Sequence, residues 1–371
     1  MRNKVLIAGA SGLVGQTAIR QFSHDLEWEV VGVSRRAPMA ENERVTYISV
    51  DLLDRGKCQQ VFSQMSDVTH LVYAAVNGFT QILDDPDEVK GWLDKEQMDN
   101  NVTMFKNLLD PLLAYCPNFQ HVNLLQGGKR YADPYGMSTQ VVNRRELPRM
   151  KYYDNFYFLQ EDYMREKQKG ANWHWTIQVP MLILGDAVGS NLNALLPLAV
   201  WGALKRERGL PLAYPGTGAT RPTTLIDSDL LAETMVWSAT ASGAQDQIFN
   251  NTNGDVTSLV DLWPAIAEEL GMEVGPVETV SLERELPKYA DEWTNIVRKY
   301  KLVASENLDE FLGTSSSLTD KTLLSDTNAP FRFASTIALN QAGFHKWIDS
   351  ENSVRKWIRR FQERGLIPPK P

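Results

Sequence analysis

Hydrophobic positions along the chain fall into short uncharged runs separated by longer segments of helical spacing. The first run, Val5-Leu6-Ile7-Ala8, breaks on Gly9-Ala10-Ser11-Gly12-Leu13-Val14-Gly15, and a helix-like segment follows over residues 16–22. An apolar run without polar alternation predicts a strand buried on both faces, as in a parallel sheet. Comparable runs predict strands over 29–34, 45–50, 68–76, 119–125, 175–180 and 247–251. Helical spacing covers 92–115, with Met98, Val102, Phe105, Leu108, Leu109 and Leu112 on one side. It recurs over 155–169, 191–206 and 228–240, and Trp347, Ile348, Trp357, Ile358 and Phe361 mark helices of the tail.

Strands alternating with helices at this rhythm predict a doubly wound parallel sheet of the Rossmann type, an α/β fold. The alternation is regular to about residue 185, so 1–185 is read as a nucleotide-binding domain to which 222–256 returns. Residues 186–371 are read as a smaller, mostly helical substrate domain with C-terminal helices. Composition is that of an ordinary globular protein, 43% hydrophobic and 23% charged. A formal charge of −8 without a basic tract argues against nucleic acid as a partner. Two cysteines, Cys58 and Cys116, make no disulfide framework, and with five scattered histidines they offer no zinc spacing. The N-terminal apolar run is too short to span a membrane. A cytoplasmic protein without membrane attachment is the expectation.

The glycine-punctuated turn carries the first chemistry. Gly9 permits a sharp turn, Gly12 lets backbone approach a diphosphate, and Gly15 lets helix pack closely on strand. Main-chain N–H groups at the helix start favour an anion, so Gly9, Ser11, Gly12, Leu13, Val14 and Gly15 form the predicted diphosphate cradle. About 20 residues on, an NAD site places an acidic side chain on the ribose 2′-hydroxyl. Here the strand ends in Ser34-Arg35-Arg36, whose guanidiniums suit a 2′-phosphate, so the expected cofactor is NADPH. Asp51 and Leu52 close the third strand on the same edge. Asp51 could meet an adenine amino group or cap the helix through Val61-Phe62.

Ligands of such sheets lie beyond the carboxyl ends of the strands. The loop Gln126-Gly127-Gly128-Lys129-Arg130-Tyr131 falls there, and after a polar, aromatic-rich stretch the segment Asn155-Phe156-Tyr157-Phe158-Leu159-Gln160-Glu161-Asp162 begins a helix. A hydride-transferring enzyme needs a proton donor or oxyanion stabiliser beside the nicotinamide. Short-chain dehydrogenases/reductases, which the chain resembles from Gly9 onward, usually use a tyrosine with a lysine four residues later. Tyr163 and Lys167 meet that spacing, but only 17 residues separate Tyr163 from Pro180 and acidic neighbours flank Lys167. Tyr157 has Glu161 at that spacing, which cannot do the lysine's work.

The two quoted segments resemble the progesterone 5β-reductase/iridoid synthase-like family of atypical extended short-chain dehydrogenases/reductases. Residues 68–73, Asn250-Asn251-Thr252-Asn253-Gly254-Asp255-Val256 and the Gly343-to-Asp349 tail carry the likeness to nearly the full chain. The resemblance implies Lys129 and Tyr157 as the catalytic pair and NADPH-dependent 1,4-reduction of a small α,β-unsaturated carbonyl compound. It also implies that Pro180 and Ile183 belong to a segment whose backbone meets the nicotinamide amide, and the wider superfamily implies a homodimer. Phe158 departs from a second tyrosine in many members, and Gln178-Val179-Pro180-Met181 departs from the usual His-Arg-Pro-Gly. Two competing readings are a nucleotide-sugar epimerase or dehydratase using Tyr163 and Lys167, and a non-catalytic NADP-sensing module.

Overall fold

The structure, a computed structural model, describes residues 2–36, 43–78, 94–131, 142–143, 155–189, 193–324 and 333–371. In chain order the elements are β1 (Asn3–Ala8), α1 (Leu13–His24), β2 (Trp28–Ser34), β3 (Val45–Ser49), α2 (Arg55–Phe62), β4 (His70–Tyr73), α3 (Lys95–Tyr115) and β5 (His121–Leu125). Then come β6 (Val142–Asn143), α4 (Phe156–Gln168), β7 (His174–Pro180), β8 (Leu182–Leu184), α5 (Leu196–Glu207), β9 (Leu212–Tyr214) and β10 (Leu225–Asp227). They are followed by α6 (Ser228–Thr240), β11 (Gln247–Asn251), α7 (Leu259–Leu270) and β12 (Val274–Val277), with short helices and a last long helix, Ser350–Glu363.

Two compact units divide the chain. The first comprises residues 1–181, 229–251 and 334–345, and the second 182–228, 252–333 and 346–371. In the first, seven strands pair in the order β11-β7-β5-β4-β1-β2-β3, all parallel. Val5, Leu6, Ile7 and Ala8 of β1 are fully buried, as an uncharged central strand requires. α2, α3 and α4 cover one face, and α1 and α6 the other, where an Arg20–Asp229 ion pair joins them. The core under α2–α4 contains Leu6, Val31, Leu71, Phe105, Leu108 and Ile177.

Strand ends follow pairing rather than hydrophobicity. The apolar run expected over 68–76 is a strand only at His70–Tyr73, where β1 and β5 flank it. α1 begins at Leu13, earlier than its apolar spacing suggested, because Gly12 makes the turn. Asp54, not Asp51, caps α2: its carboxylate accepts from Lys57 N–H, while Asp51 accepts from Leu53 N–H in a tight turn. α5 starts at Leu196, with Pro197 in its first turn and Asn193 Oδ1 accepting from the N–H groups of Leu195 and Leu196. The expected helix starts at 92 and 191 lie outside the described residues.

The second unit has its own core, built on α5, α7 and helix Ser350–Glu363 with Trp201, Trp263, Trp293 and Trp357. Two parallel ribbons, β8–β10 and β9–β12, edge it. Buried acids tie down the last helix: Asp227 accepts from Ser353, Lys356 and Trp357, and Asp186 from Arg360 and Arg364. No helix among the described residues is long and apolar enough to cross a membrane.

At the amino edge of the first unit's sheet, His70, His121 and His174 stand side by side in register on β4, β5 and β7. His70 bonds Thr69 Oγ1 and the Ala239 carbonyl, and His121 bonds Thr176 Oγ1. Both are buried, which holds their imidazoles neutral: His70 is lowered to about 4 and His121 to about 3, the latter also by its histidine neighbours.

Candidate active site

All strands of the main sheet run parallel, so their carboxyl ends share one edge. Gly9 ends β1 with φ +84, and its N–H and that of Ala10 donate to the Val33 carbonyl at 3.0 Å. A Cβ on Gly9 would meet the Ala74 carbonyl oxygen at 2.6 Å, and one on Gly15 would meet the Gly9 oxygen at 2.1 Å. Helix therefore packs on turn at a distance that only glycine allows. Gly12 is the N-cap of α1 and brings no side chain to its first turn, where Leu13, Val14 and Gly15 follow. Gln16 Nε2 donates to the Ser11 carbonyl and fixes the turn. A helix start without a side-chain cap, behind a turn of small residues, fits a dinucleotide diphosphate.

At the end of β2, Ser34 Oγ donates to the Arg36 carbonyl at 2.5 Å and Ser49 Oγ to the Arg35 carbonyl at 3.2 Å. These bonds shape the turn and leave both guanidiniums exposed, without an ion pair among the described residues. Asp51 is exposed and Leu52 buried at the end of β3. Beyond β4, Asn77 exchanges hydrogen bonds with Asn101, a fully buried residue of α3 whose carbonyl accepts from Gln160 of α4. Ile183 lies in β8 of the second unit, paired with Ile226.

The loop after β5 and the start of α4 are bound together. Asn155, the N-cap of α4, accepts from Tyr157 N–H at 2.9 Å and donates to the Lys129 carbonyl at 3.4 Å. Gln126 Nε2 donates to the Tyr157 carbonyl at 3.0 Å. Arg130 Nη1 donates to Gln126 Oε1 at 2.7 Å and to Glu161 Oε2 at 2.6 Å, an ion pair in which both side chains are buried. Glu161 also accepts from Arg165 Nε, and the Arg130 guanidinium lies 5.3 Å from the centre of the Phe158 ring. Tyr131 Oη donates to Asn250 Oδ1 at 2.6 Å.

Within this frame Lys129 is exposed and Tyr157 partly buried. The Tyr157 hydroxyl is 3.3 Å from the Cβ position of Gly127, so a side chain there would crowd it. Met181 Sδ is 3.5 Å from the Cβ position of Gly128. Burial pushes the Tyr157 phenol above the ordinary tyrosine range, so at neutral pH it is a hydrogen-bond donor. Gln178, which replaces the family's histidine, is fully buried and bonds Asn123, Ser238 and Asn251 across the face under α6.

Tyr163 and Lys167 sit elsewhere. Tyr163 Oη donates to Asp110 Oδ1 of α3 at 2.5 Å, and Lys167 Nζ pairs with the same oxygen at 2.9 Å. Burial and the Asp110 bond both raise the Tyr163 phenol, outweighing Lys167. The pair is a helix–helix tie. Gln126, Arg130 and Glu161 stand in the quoted segments, but their contacts with one another, and the place of Asn101, were not read from the sequence, although opposite charges in two segments destined for one sheet edge were a usable signal.

The fold is of the Rossmann type, and the relatives named below make the chain an oxidoreductase. The chain belongs to the PRISE-like Rossmann-fold domain family, whose model matches residues 38–310. It is 30% identical to the (S)-8-oxocitronellyl enol synthase of Catharanthus roseus, across 99% of this chain and 93% of that protein. To the 3-oxo-Delta(4,5)-steroid 5-beta-reductase of Arabidopsis thaliana it is 27% identical, across 98% and 92%. Among solved structures, a UDP-glucose 4-epimerase superposes with a TM-score of 0.69 at 15% identity, covering 98% of each chain. The Bordetella bronchiseptica enzyme WbmH, solved with NAD+, gives 0.61 at 13%, covering 98% of this chain and 99% of that one. At those identities the structural likeness concerns the fold.

Proposed function

We propose that the protein is an NADPH-dependent reductase of activated C=C bonds, with Tyr157 and Lys129 at its chemical centre. The observation that carries the reading is the shared hold of Asn155 on both residues, which brings a neutral, partly buried phenol and a cationic loop to one sheet edge. The names of the relatives agree, since a 3-oxo-Delta(4,5)-steroid is an enone. When bound, NADPH supplies a hydride to the β-carbon of the substrate.

Negative charge then collects on the carbonyl oxygen, and a donor fixed in advance stabilises it far better than mobile water. The Tyr157 hydroxyl donates that bond. Lys129 adds positive charge, and the α-carbon takes its proton from solvent. Gly9 to Gly15 hold the diphosphate, Ser34, Arg35 and Arg36 the 2′-phosphate, and Asp51 and Leu52 border the adenine. Two buried free thiols, Cys58 and Cys116, suit the reducing cytoplasm in which NADPH is abundant.

The test is NADPH consumption with 2-cyclohexen-1-one, progesterone and an open-chain dienal, with saturated ketones as controls. Turnover of enones alone supports the reading. Tyr157→Phe should cut the rate by about 10²-fold, as loss of one oxyanion donor does, while NADPH still binds. An unchanged rate removes Tyr157 from the chemistry. Tight NADPH binding without turnover of any enone would favour the sensing module.

A further inference from the structure

We infer that the buried Arg130–Glu161 pair is a positioning device, a pin that fixes the lysine-bearing loop to the tyrosine-bearing helix. The inference rests on the assignment of Lys129 and Tyr157 above and adds two residues that do not touch the reacting atoms. Three observations carry it. Arg130 and Glu161 are 7% and 2% exposed, so both charges have left water and are held by each other, with Gln126 also on Arg130 and Arg165 also on Glu161. Separating the pair in place would leave the buried Arg130 guanidinium without its carboxylate, so the loop does not shift without a large penalty. The chain positions also matter: Arg130 directly follows Lys129, and Glu161 lies one helical turn after Tyr157.

The geometry closes a ring. Gln126 at the start of the loop donates to the Tyr157 carbonyl and accepts from Arg130. Arg130 at the loop's end reaches Glu161, and Phe158 lies under its guanidinium. Asn155 closes the other side through the Lys129 carbonyl. The loop is thereby attached to the first turns of α4 at Asn155, Tyr157 and Glu161. Two glycines, Gly127 and Gly128, leave it no side chains of its own with which to pack at its centre. Its conformation depends on partners, and the ion pair is the strongest of them.

In the tyrosine-lysine spacing usual in the superfamily, the residue four after the tyrosine carries the cation itself. Here that residue is an anion that captures the cation beside the catalytic one. A carboxylate at 161 thus does by anchorage what a lysine there would do by direct contact.

The experiment compares Arg130→Met/Glu161→Leu with the wild type. Apolar replacement of both partners leaves no buried charge, so the fold should survive where Glu161→Gln alone, which strands Arg130, could fail. Hydrogen exchange of a peptide covering 125–131 should become at least tenfold faster. The kcat for enone reduction should fall at least tenfold, with the NADPH dissociation constant within threefold, because the cradle lies on β1 and α1. Unchanged exchange overturns the pin, and so does faster exchange with kcat at the wild-type level. If the wild type turns over no enone, the proposed function fails instead. The exchange result then still decides whether the pair anchors the loop.

Discussion

Acid should weaken this protein through two histidines that take no part in the proposed chemistry. His70 and His121 have an ordinary value of 6.5 but are lowered to about 4 and about 3 by burial. An unfolded chain at pH 5 binds both protons, whereas the folded chain binds neither. More protons on the unfolded state means that stability falls as pH falls, beginning near 6.5 and continuing toward the folded values. Above 6.5 neither state is protonated and the histidines contribute no pH dependence. At about pH 5 each costs about 2 kcal/mol relative to neutral pH, roughly 4 for the pair. Carboxylates add their own acid response, so the effect is isolated by removing one ring. His121→Asn should lose about 2 kcal/mol less than the wild type between pH 7 and pH 5. Urea unfolding at both pH values measures this, read through hydrogen exchange of β4 and β5 amides so that the signal belongs to this sheet. Parallel acid losses in the two proteins would refute the reasoning.

Three further substitutions test the site. Arg35→Ala with Arg36→Ala should weaken NADPH at least about tenfold and leave NADH within about threefold, since both guanidiniums are assigned to the 2′-phosphate; equal losses, measured by cofactor fluorescence, would cancel that assignment. Tyr163→Phe should keep the enone rate within about twofold and cost about 1 kcal/mol of stability through the lost bond to Asp110. A collapse in its rate would return Tyr163 and Lys167 to the chemistry. Gly15→Ala places a carbon 2.1 Å from the Gly9 oxygen, so α1 must move off the turn and NADPH binding should be lost; titration showing wild-type affinity would mean that the cradle does not depend on that packing.

What could be read from the sequence was what is fixed locally. The turn at Gly9 follows from a backbone angle that only glycine adopts freely, and β11 and α6 begin and end where their apolar spacing does. What could not be read depends on partners distant in the chain. Asn101, Asn123 and Gln178 are polar and buried, and the hydrogen bonds that satisfy them come from other elements, which local spacing does not name. Asp51 and Asp54 are both good caps three residues apart, and which one serves is decided by where the chain leaves β3. The ion pair between residues 130 and 161 shows only as opposite charges in two segments 31 residues apart, which spacing within either segment does not reveal.

A search for tyrosine followed by lysine at one helical turn finds Tyr163, and the structure shows why spacing alone misleads. A phenol is activated by a cation only where the cation outweighs other neighbours, and at Tyr163 the carboxylate of Asp110 takes the hydroxyl's proton in a hydrogen bond and engages Lys167 as well. The same helix presents Tyr157 six residues earlier, at its amino end, and Glu161, one turn on from it, is already committed to Arg130 and Arg165. That commitment matters electrostatically. A free carboxylate one turn from Tyr157 would oppose negative charge on a substrate oxygen, whereas one paired with two guanidiniums has its negative charge offset. The buried pair therefore serves the proposed chemistry twice, by fixing the loop and by neutralising the acid nearest the tyrosine along the helix. Replacing Glu161 with lysine would not restore the usual motif. It would set a second cation against Arg130 in a space closed to water and expel the loop that carries Lys129.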